Sequence, residues 1–204
     1  MEKKLKEIWD NIRPAFAHVK EEDHITEESL FNGYRDNVIP HFDFKDTIVI
    51  DYGIGGGYLG KLLFKENGIK KYIGIDVSTR SLKIASDNLK EYNTEFYDDT
   101  YDFSSSNADI FISLACIQHF PDKEYLIKFL NNLNNSNISE IMLQIRYNDT
   151  TKFIDKWNTE GDIRLSCQTN DKFISEHLNK YDNIYISDIK PESNYQFLKY
   201  KKIK

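Results

Sequence analysis

Cysteine is nearly missing from this chain: Cys116 and Cys167 are the only two, with no CxxC pair and no second couple from which to build a disulfide scaffold. That pattern fits a reducing cytoplasm, and neither residue is placed as a metal ligand. No apolar run approaches the length needed to span a bilayer, and Met1-Glu2-Lys3-Lys4-Leu5-Lys6 opens a charged amphipathic pattern rather than a signal-peptide core. A soluble, cytoplasmic protein with no membrane partner is expected. Excess positive charge is also lacking. The formal net charge is −6, and the lysines are scattered, so no surface is dedicated to nucleic acid. Lys199, Lys201, Lys202 and Lys204 form a basic tip that reads as a solvated end. There is no internal repeat. Asn, Lys, Ile and Tyr are enriched, in the manner of an AT-rich coding sequence, and the Asn-rich patch 131–137 reads as a loop.

What is present is concentrated in residues 47–88. Ile48-Val49-Ile50 is a β-branched run suited to a strand buried on both faces, and it leads into Asp51-Tyr52-Gly53-Ile54-Gly55-Gly56-Gly57. Glycines there allow a sharp turn and close approach of backbone to a ligand. A helical pattern follows, whose free N–H groups and dipole favour a carboxylate or phosphate, and then a second apolar run ends at Asp76. An acid at that position accepts hydrogen bonds from ribose hydroxyls. The combination reads as a cradle for a nucleotide.

Two readings of the glycines compete. Gly55-Gly56-Gly57-Tyr58-Leu59-Gly60 satisfies G-x-G-x-x-G, with an acid about twenty positions on, the pattern of nicotinamide dinucleotide sites. Asp51-x-Gly53-x-Gly55-x-Gly57 instead resembles the acid-plus-glycine turn of class I S-adenosylmethionine-dependent methyltransferases. The flanks favour the second. Gly74-Ile75-Asp76-Val77-Ser78 with Leu82, Ala85 and Asn88 is similar to that family's second strand and following helix. Asp109-Ile110-Phe111-Ile112-Ser113-Leu114 with His119-Phe120 is similar to its fourth strand and the loop beyond. The resemblance covers 47–120 by motif and the remainder by element order. It also has a physical basis, because the methionine end of S-adenosylmethionine carries an ammonium and a sulfonium, which an anionic Asp51 attracts and a pyrophosphate does not offer.

The resemblance implies a seven-stranded, mostly parallel, doubly wound α/β sheet ending in an antiparallel β-hairpin. It implies S-adenosylmethionine as cofactor. Asp51, Gly53, Gly55 and Gly57 would hold its methionine end, Asp76 and the adjoining Val77 its ribose side, and Asp98 or Asp99 its adenine amine, while Leu114 and Ala115 would line it. The short third strand leaves its register, and so the choice between Asp98 and Asp99, open.

At 204 residues the chain suffices for one α/β domain, 1–204, with an N-terminal helical lid over 1–44 and a Rossmann-like core over 45–204. In the lid, Leu5, Ile8, Trp9 and Ile12 recur at helical spacing, and a second helix starts near Thr26 and ends before Pro40. Strand and helix then alternate, with Gly68 stopping one helix and Ser78 capping the next, whose inward face is Leu82, Ala85 and Leu89. Strands are expected over 94–97, 109–114 and 140–145, a helix over 122–133, a long polar connection over 146–170, a helix over 171–179, and strands over 184–189 and 196–200 around the turn 191–194.

Methyl transfer from a sulfonium is an in-line displacement that needs alignment and, for a hydroxyl acceptor, removal of a proton. His119 is the candidate base, because it falls beyond the end of the fourth strand where open α/β sheets bind ligands. The alternative is that it only shapes the pocket. Cys116 reads as a small core residue. Ala115-Cys116-Ile117-Gln118 stands where amino-methylating members of the family carry Asn or Asp, then Pro-Pro and an aromatic, so oxygen is the expected acceptor atom. The Asp-Asn pair of the metal-dependent members is reversed here as Asn148-Asp149, without its upstream acid, so no metal is expected. Gln118, Arg146, Tyr147, Trp157 and Arg164 are candidates for binding a small polar acceptor with a phosphate or carboxylate, such as a sugar or sugar nucleotide. Two other readings stay open: a methyltransferase-fold subunit that serves as a partner without its own activity, and a nicotinamide-dependent reductase. For the latter, Tyr195 and Lys199 have Tyr-x-x-x-Lys spacing but fall on the expected last strand.

Overall fold

A computed structural model describes residues 6, 7, 9, 10, 26–157 and 163–204, and the side chains of these except 104, 154–157 and 163–165. Its strands are β1 Ile48–Tyr52, β2 Lys71–Ile75, β3 Thr94–Tyr97, β4 Ile110–Ser113, β5 Glu140–Arg146, β6 Lys152–Trp157, β7 Ile163–Gln168, β8 Tyr181–Ile186 and β9 Tyr195–Lys202. Its helices are α1 Glu27–Asn37, α2 Tyr58–Leu62, α3 Thr79–Asn88, α4 Lys123–Asn134 and α5 Asp171–His177. Seven strands form one sheet in the order β3-β2-β1-β4-β5-β9-β8, while β6 and β7 pair separately. This is the expected seven-stranded sheet, with parallel pairs β1/β2, β2/β3 and β4/β5 and antiparallel pairs β5/β9 and β9/β8. The chain divides into two compact units, Met1–Tyr101 and Asp102–Lys204.

In the first unit, β1 and β2 run as apolar, β-branched segments whose residues Val49, Ile50, Ile73 and Ile75 are buried, as parallel strands covered on both faces require. Thr26 caps α1 through a reciprocal pair with Ser29, each side chain meeting the other's backbone N–H at 3.0 Å. α1 ends at Asn37, ahead of a 3-10 turn Ile39–His41 that holds Pro40. It is tied to α2 and the π turn Leu63–Asn67 after it by Lys61 on Glu27, at 2.6 Å, and by Arg35 on Glu66. Gly68, at φ 64°, stops that turn, and Ser78 caps α3 by accepting the Ser81 N–H. Ala85 and Leu89 face the core, with Leu82 half-buried. Of the expected helix over 5–12, residues 6, 7, 9 and 10 are helical and the remainder lies outside the described residues.

In the second unit, Asp122 caps α4 through the Tyr125 N–H at 2.8 Å, and the helix buries Leu126, Phe129, Leu130 and Leu133. Phe129 meets Phe103, Phe111 and Phe120 with ring centroids 5.1 to 6.1 Å apart, an aromatic cluster with edge and tilted contacts. On the hairpin, Lys199 sits opposite Met142 and pairs with Glu140 at 2.7 Å.

Three expectations need correction: Asn131, Asn132 and Asn134 of the expected loop belong to the end of α4, Lys199 of the basic tip is 8% exposed and paired rather than solvated, and the third concerns the long connection. Residues 146–170 are not an unstructured polar connection: β6 and β7 pair in register from Lys152↔Gln168 to Trp157↔Ile163. The segments Lys-Phe-Ile-Asp-Lys-Trp and Ile-Arg-Leu-Ser-Cys-Gln contain enough apolar and β-branched positions for strands, and their charges conceal the pattern. The base of this hairpin is stitched to the end of β5 by Thr169 N–H to Arg146 C=O and Asn148 N–H to Thr169 C=O, both 2.9 Å.

Candidate functional site

The glycine turn of the first unit is held from two sides. Gly53, Gly55 and Gly57 adopt φ of 86°, 53° and 76°. Gly57 has a second reason to be glycine, because a Cβ there would lie 2.9 Å from Leu89 Cδ1 and 3.2 Å from Ala85 Cβ on α3. Asp76, just past β2, accepts the Gly55 N–H at 3.0 Å through one oxygen and the Ser78 N–H at 2.9 Å through the other. Asn88 donates to Gly56 C=O at 2.9 Å. Burial pushes the Asp76 carboxyl up to about 6, although the two backbone N–H groups act the other way. Val77 follows at the start of the turn into α3 and is half-exposed.

Asp51 is only 5% exposed and accepts a short hydrogen bond from the Tyr72 phenol on β2. Burial raises it to about 7, Tyr72 lowers it, and nearby Asp76 raises it further. Tyr34 on α1 is close enough that Asp51, after burial itself, pushes its phenol up. None of the Lys or Arg side chains among the described residues forms an ion pair with Asp51. Among the described residues this buried acid thus has no cation of its own.

Beyond β3, Asp98 is exposed and folded back on Thr100, accepting its N–H at 3.1 Å and its hydroxyl, which keeps the carboxyl below its ordinary range. Asp99 is half-buried and close enough to Asp76 to raise that acid. Asp10 was not anticipated. It accepts from Ser78 Oγ at 2.8 Å and Thr79 Oγ1 at 2.9 Å, fastening the N-terminal segment to the start of α3.

In the second unit, Leu114 is half-buried after β4, and Ala115 is exposed with φ 49°. A non-glycine residue in that left-handed region costs about 1–2 kcal/mol. It is held there by its N–H, which donates to Gln144 Oε1 at 3.0 Å. The 3-10 turn Ile117–His119 follows. Gln118, 4% exposed, donates from Nε2 to Tyr195 Oη at 2.9 Å and lies 3.3 Å from His119 Nε2. Arg146 faces Tyr195 across β5 and β9, with its guanidinium 5.5 Å from the ring centre, and Nη1 reaches Ser166 Oγ at 3.5 Å. Gln118 Oε1 and Arg146 Nε are buried without a hydrogen-bond partner among the described residues.

Of the anticipated acceptor residues, Gln118 and Arg146 thus meet on Tyr195, together with His119. Tyr147 turns its phenol to Asp149 at 2.8 Å, and the side chains of Trp157 and Arg164 lie outside the described residues. Cys116 is half-buried and Cys167 buried, the latter thiol pushed up to about 12 by burial. Sequence reasoning missed Tyr195, Gln144 and Ser166 as companions of this group. Tyr195 was findable, because the turn at 191–194 sets the β8/β9 hairpin and brings β9 to the β5 end.

A profile described as "Methyltransferase domain" matches residues 43–195. The chain belongs to this methyltransferase family. A search of curated proteins gave no match. Among solved structures, the magnesium protoporphyrin IX methyltransferase of Synechocystis with bound SAH superposes with a TM-score of 0.69 at 16% identity, covering 99% of this chain and 99% of that one. A SAM-dependent methyltransferase from Leishmania major gives 0.70 at 14% identity, covering 98% and 82%, and one from Clostridium acetobutylicum gives 0.63 at 12%, covering 98% of each. At these identities the structural likeness shows the methyltransferase fold. Among the described residues there is no cluster of His, Cys, Asp and Glu suited to a metal, and no helix is long and apolar enough to cross a membrane.

Proposed function

We propose that this methyltransferase-family chain binds S-adenosylmethionine and passes its methyl group to a hydroxyl oxygen of a small polar acceptor, a sugar or sugar nucleotide being the type intended. The observation that carries the cofactor half is Asp51: a buried acid beside a left-handed glycine turn, without a basic partner among the described residues. A cationic amino-acid end supplies the missing charge, and a pyrophosphate would be repelled.

When bound, the cofactor supplies an electrophilic methyl group on a sulfonium. The chain's residues do the rest. The Gly53-to-Gly57 backbone, clamped by Asp76 and Asn88, gives a rigid surface that needs little reorganisation on binding. Asp76 keeps lone pairs for ribose hydroxyls beyond those used by Gly55 and Ser78. Asp99 is the better partner for the adenine amine, because Asp98 spends its carboxylate on Thr100. Val77 in the first unit, and separately Leu114 and Ala115 in the second, are proposed as cofactor contacts. His119 takes the hydroxyl proton as the acceptor oxygen attacks. Tyr147, Trp157 and Arg164 are proposed as outlying acceptor contacts.

Oxygen is favoured over nitrogen by Ala115-Cys116-Ile117-Gln118 in the loop after β4, which offers no Asn or Asp to accept from an amino group at its first position. The small-molecule reading is supported by the net charge of −6, unsuited to nucleic acid, and by the Synechocystis neighbour, whose name gives a small-molecule substrate. It is further proposed that the protein works in the cytoplasm without a metal. Incubation with methyl-labelled S-adenosylmethionine and paired hydroxyl and amine forms of the same sugars tests this. Label on the hydroxyl forms is expected. Label confined to the amine forms would contradict the assignment of the acceptor atom.

A further inference from the structure

We infer that the acceptor is a hydroxylated organic anion, its charged group held by Arg146 and a hydroxyl held by Gln118. This rests on the methyltransferase reading above and specifies its substrate class.

Two buried atoms have no hydrogen-bond partner among the described residues. Arg146 Nε is buried without a hydrogen-bond partner, and among the described residues no carboxylate pairs with this guanidinium; its contacts are Ser166 Oγ at 3.5 Å and the Tyr195 ring at 5.5 Å. A half-buried arginine without an acid is a standing demand for an anion, and its planar fork matches a carboxylate or phosphate. Gln118, 96% buried, has its Nε2 engaged by Tyr195 Oη and next to His119, while Oε1 has no partner. Buried amide oxygens are ordinarily satisfied, so this end of the side chain also awaits a ligand. A hydroxyl, which both donates and accepts, fits it.

Tyr195 sets the spacing. The Arg146 guanidinium lies 5.5 Å from its ring centre and its hydroxyl accepts from Gln118 Nε2, so both side chains with an unsatisfied atom contact one phenol. A molecule bridging them is compact, with its hydroxyl beside Gln118 and hence beside His119. One arrangement thus selects charge and brings a hydroxyl-bearing carbon chain beside His119, the hydroxyl held by Gln118 being a neighbour of the one that reacts. Lysine in place of Arg146 would lack the in-plane Nε–H.

The test is calorimetric titration of the SAH-saturated protein, at constant ionic strength, with D-gluconate, glucose 6-phosphate and glucose, and with D-glycerate, glycerol 3-phosphate and glycerol. At least one anion is expected to bind roughly tenfold or more tightly than its neutral twin. Preference for the acids assigns a carboxylate and preference for the esters a phosphate; either supports the inference. Arg146→Gln should erase the preference while SAH affinity stays within about twofold, and Gln118→Leu should weaken the same anion. Should Arg146→Gln fail to fold, the twin comparison in the wild type stands alone. Equal binding of charged and neutral twins, no anion binding to SAH-loaded protein, or a preference that survives Arg146→Gln would overturn the inference. Absence of SAH binding to the wild type is a separate result that sinks the cofactor reading and this one with it.

Discussion

The phenol of Tyr72 donates to the buried carboxylate of Asp51 from two positions before its register partner on the neighbouring parallel strand. The pair explains how an acid survives at 5% exposure in an apolar strand: one oxygen is satisfied by the phenol, and the remaining charge awaits a cation. It also ties stability to pH and to cofactor.

Asp51 and Asp76 have folded-state pKa values of about 7 and about 6, above the ordinary 3.8, so between those limits the native state holds more protons than the unfolded chain. Their contribution therefore lowers stability as pH rises from about 4 to about 7, and is flat above that. Asp51→Asn keeps an acceptor for Tyr72 and removes the ionisation. The expected result is a gain on the order of 3 kcal/mol in the ligand-free protein at pH 7.5, little change at pH 4.5, and a loss of cofactor affinity of roughly tenfold or more. Urea unfolding at the two pH values, with and without cofactor, checks all three.

Gly57→Ala combines a left-handed backbone with a Cβ 2.9 Å from Leu89. A loss of about 2–4 kcal/mol follows from the two costs together. Adding Leu89→Ala should recover at most the steric share, because the φ penalty remains, and emptying the buried Leu89 site has its own cost of about 2–5 kcal/mol. Chemical denaturation of the single and double variants measures the split.

Asp98 and Asp99 should separate cleanly. Asp99→Asn is expected to weaken cofactor binding by roughly tenfold, whereas Asp98→Asn should alter it by less than about twofold, since Asp98 is occupied by Thr100. Calorimetric titration with SAH distinguishes them.

His119→Ala is expected to lower kcat by about a hundredfold to ten-thousandfold with cofactor affinity unchanged, the signature of a lost general base. A loss of acceptor KM alone would instead make His119 a pocket-lining residue. Single-turnover transfer of labelled methyl, read beside SAH titration, is the measurement.

Much of this architecture is legible in the sequence, because its signals are local. Thr26, Ser78 and Gly68 mark helix ends by capping chemistry, and the apolar runs at 48–50 and 72–75 mark buried strands. The β6/β7 hairpin was hidden by charges at Lys152, Asp155, Lys156 and Arg164, which obscure strand periodicity when the partner strand is unknown. The cluster proposed to bind the acceptor was half visible. Gln118 and Arg146 were named, but Tyr195, which joins them, stands 49 positions beyond Arg146 and meets it only through strand register. The Asp51–Tyr72 bond likewise depends on tertiary packing, and Asp10 acts on α3 from 68 residues away.

The first unit is proposed to be built around a cationic nucleoside. Thermal unfolding of the purified chain with S-adenosylmethionine, S-adenosylhomocysteine, NAD and NADP tests it most directly, since a ligand that binds only the native state must raise Tm. A rise is expected with the two sulfur nucleosides and none with the nicotinamides; a rise only with NAD or NADP, or with none of the four, would overturn the cofactor assignment.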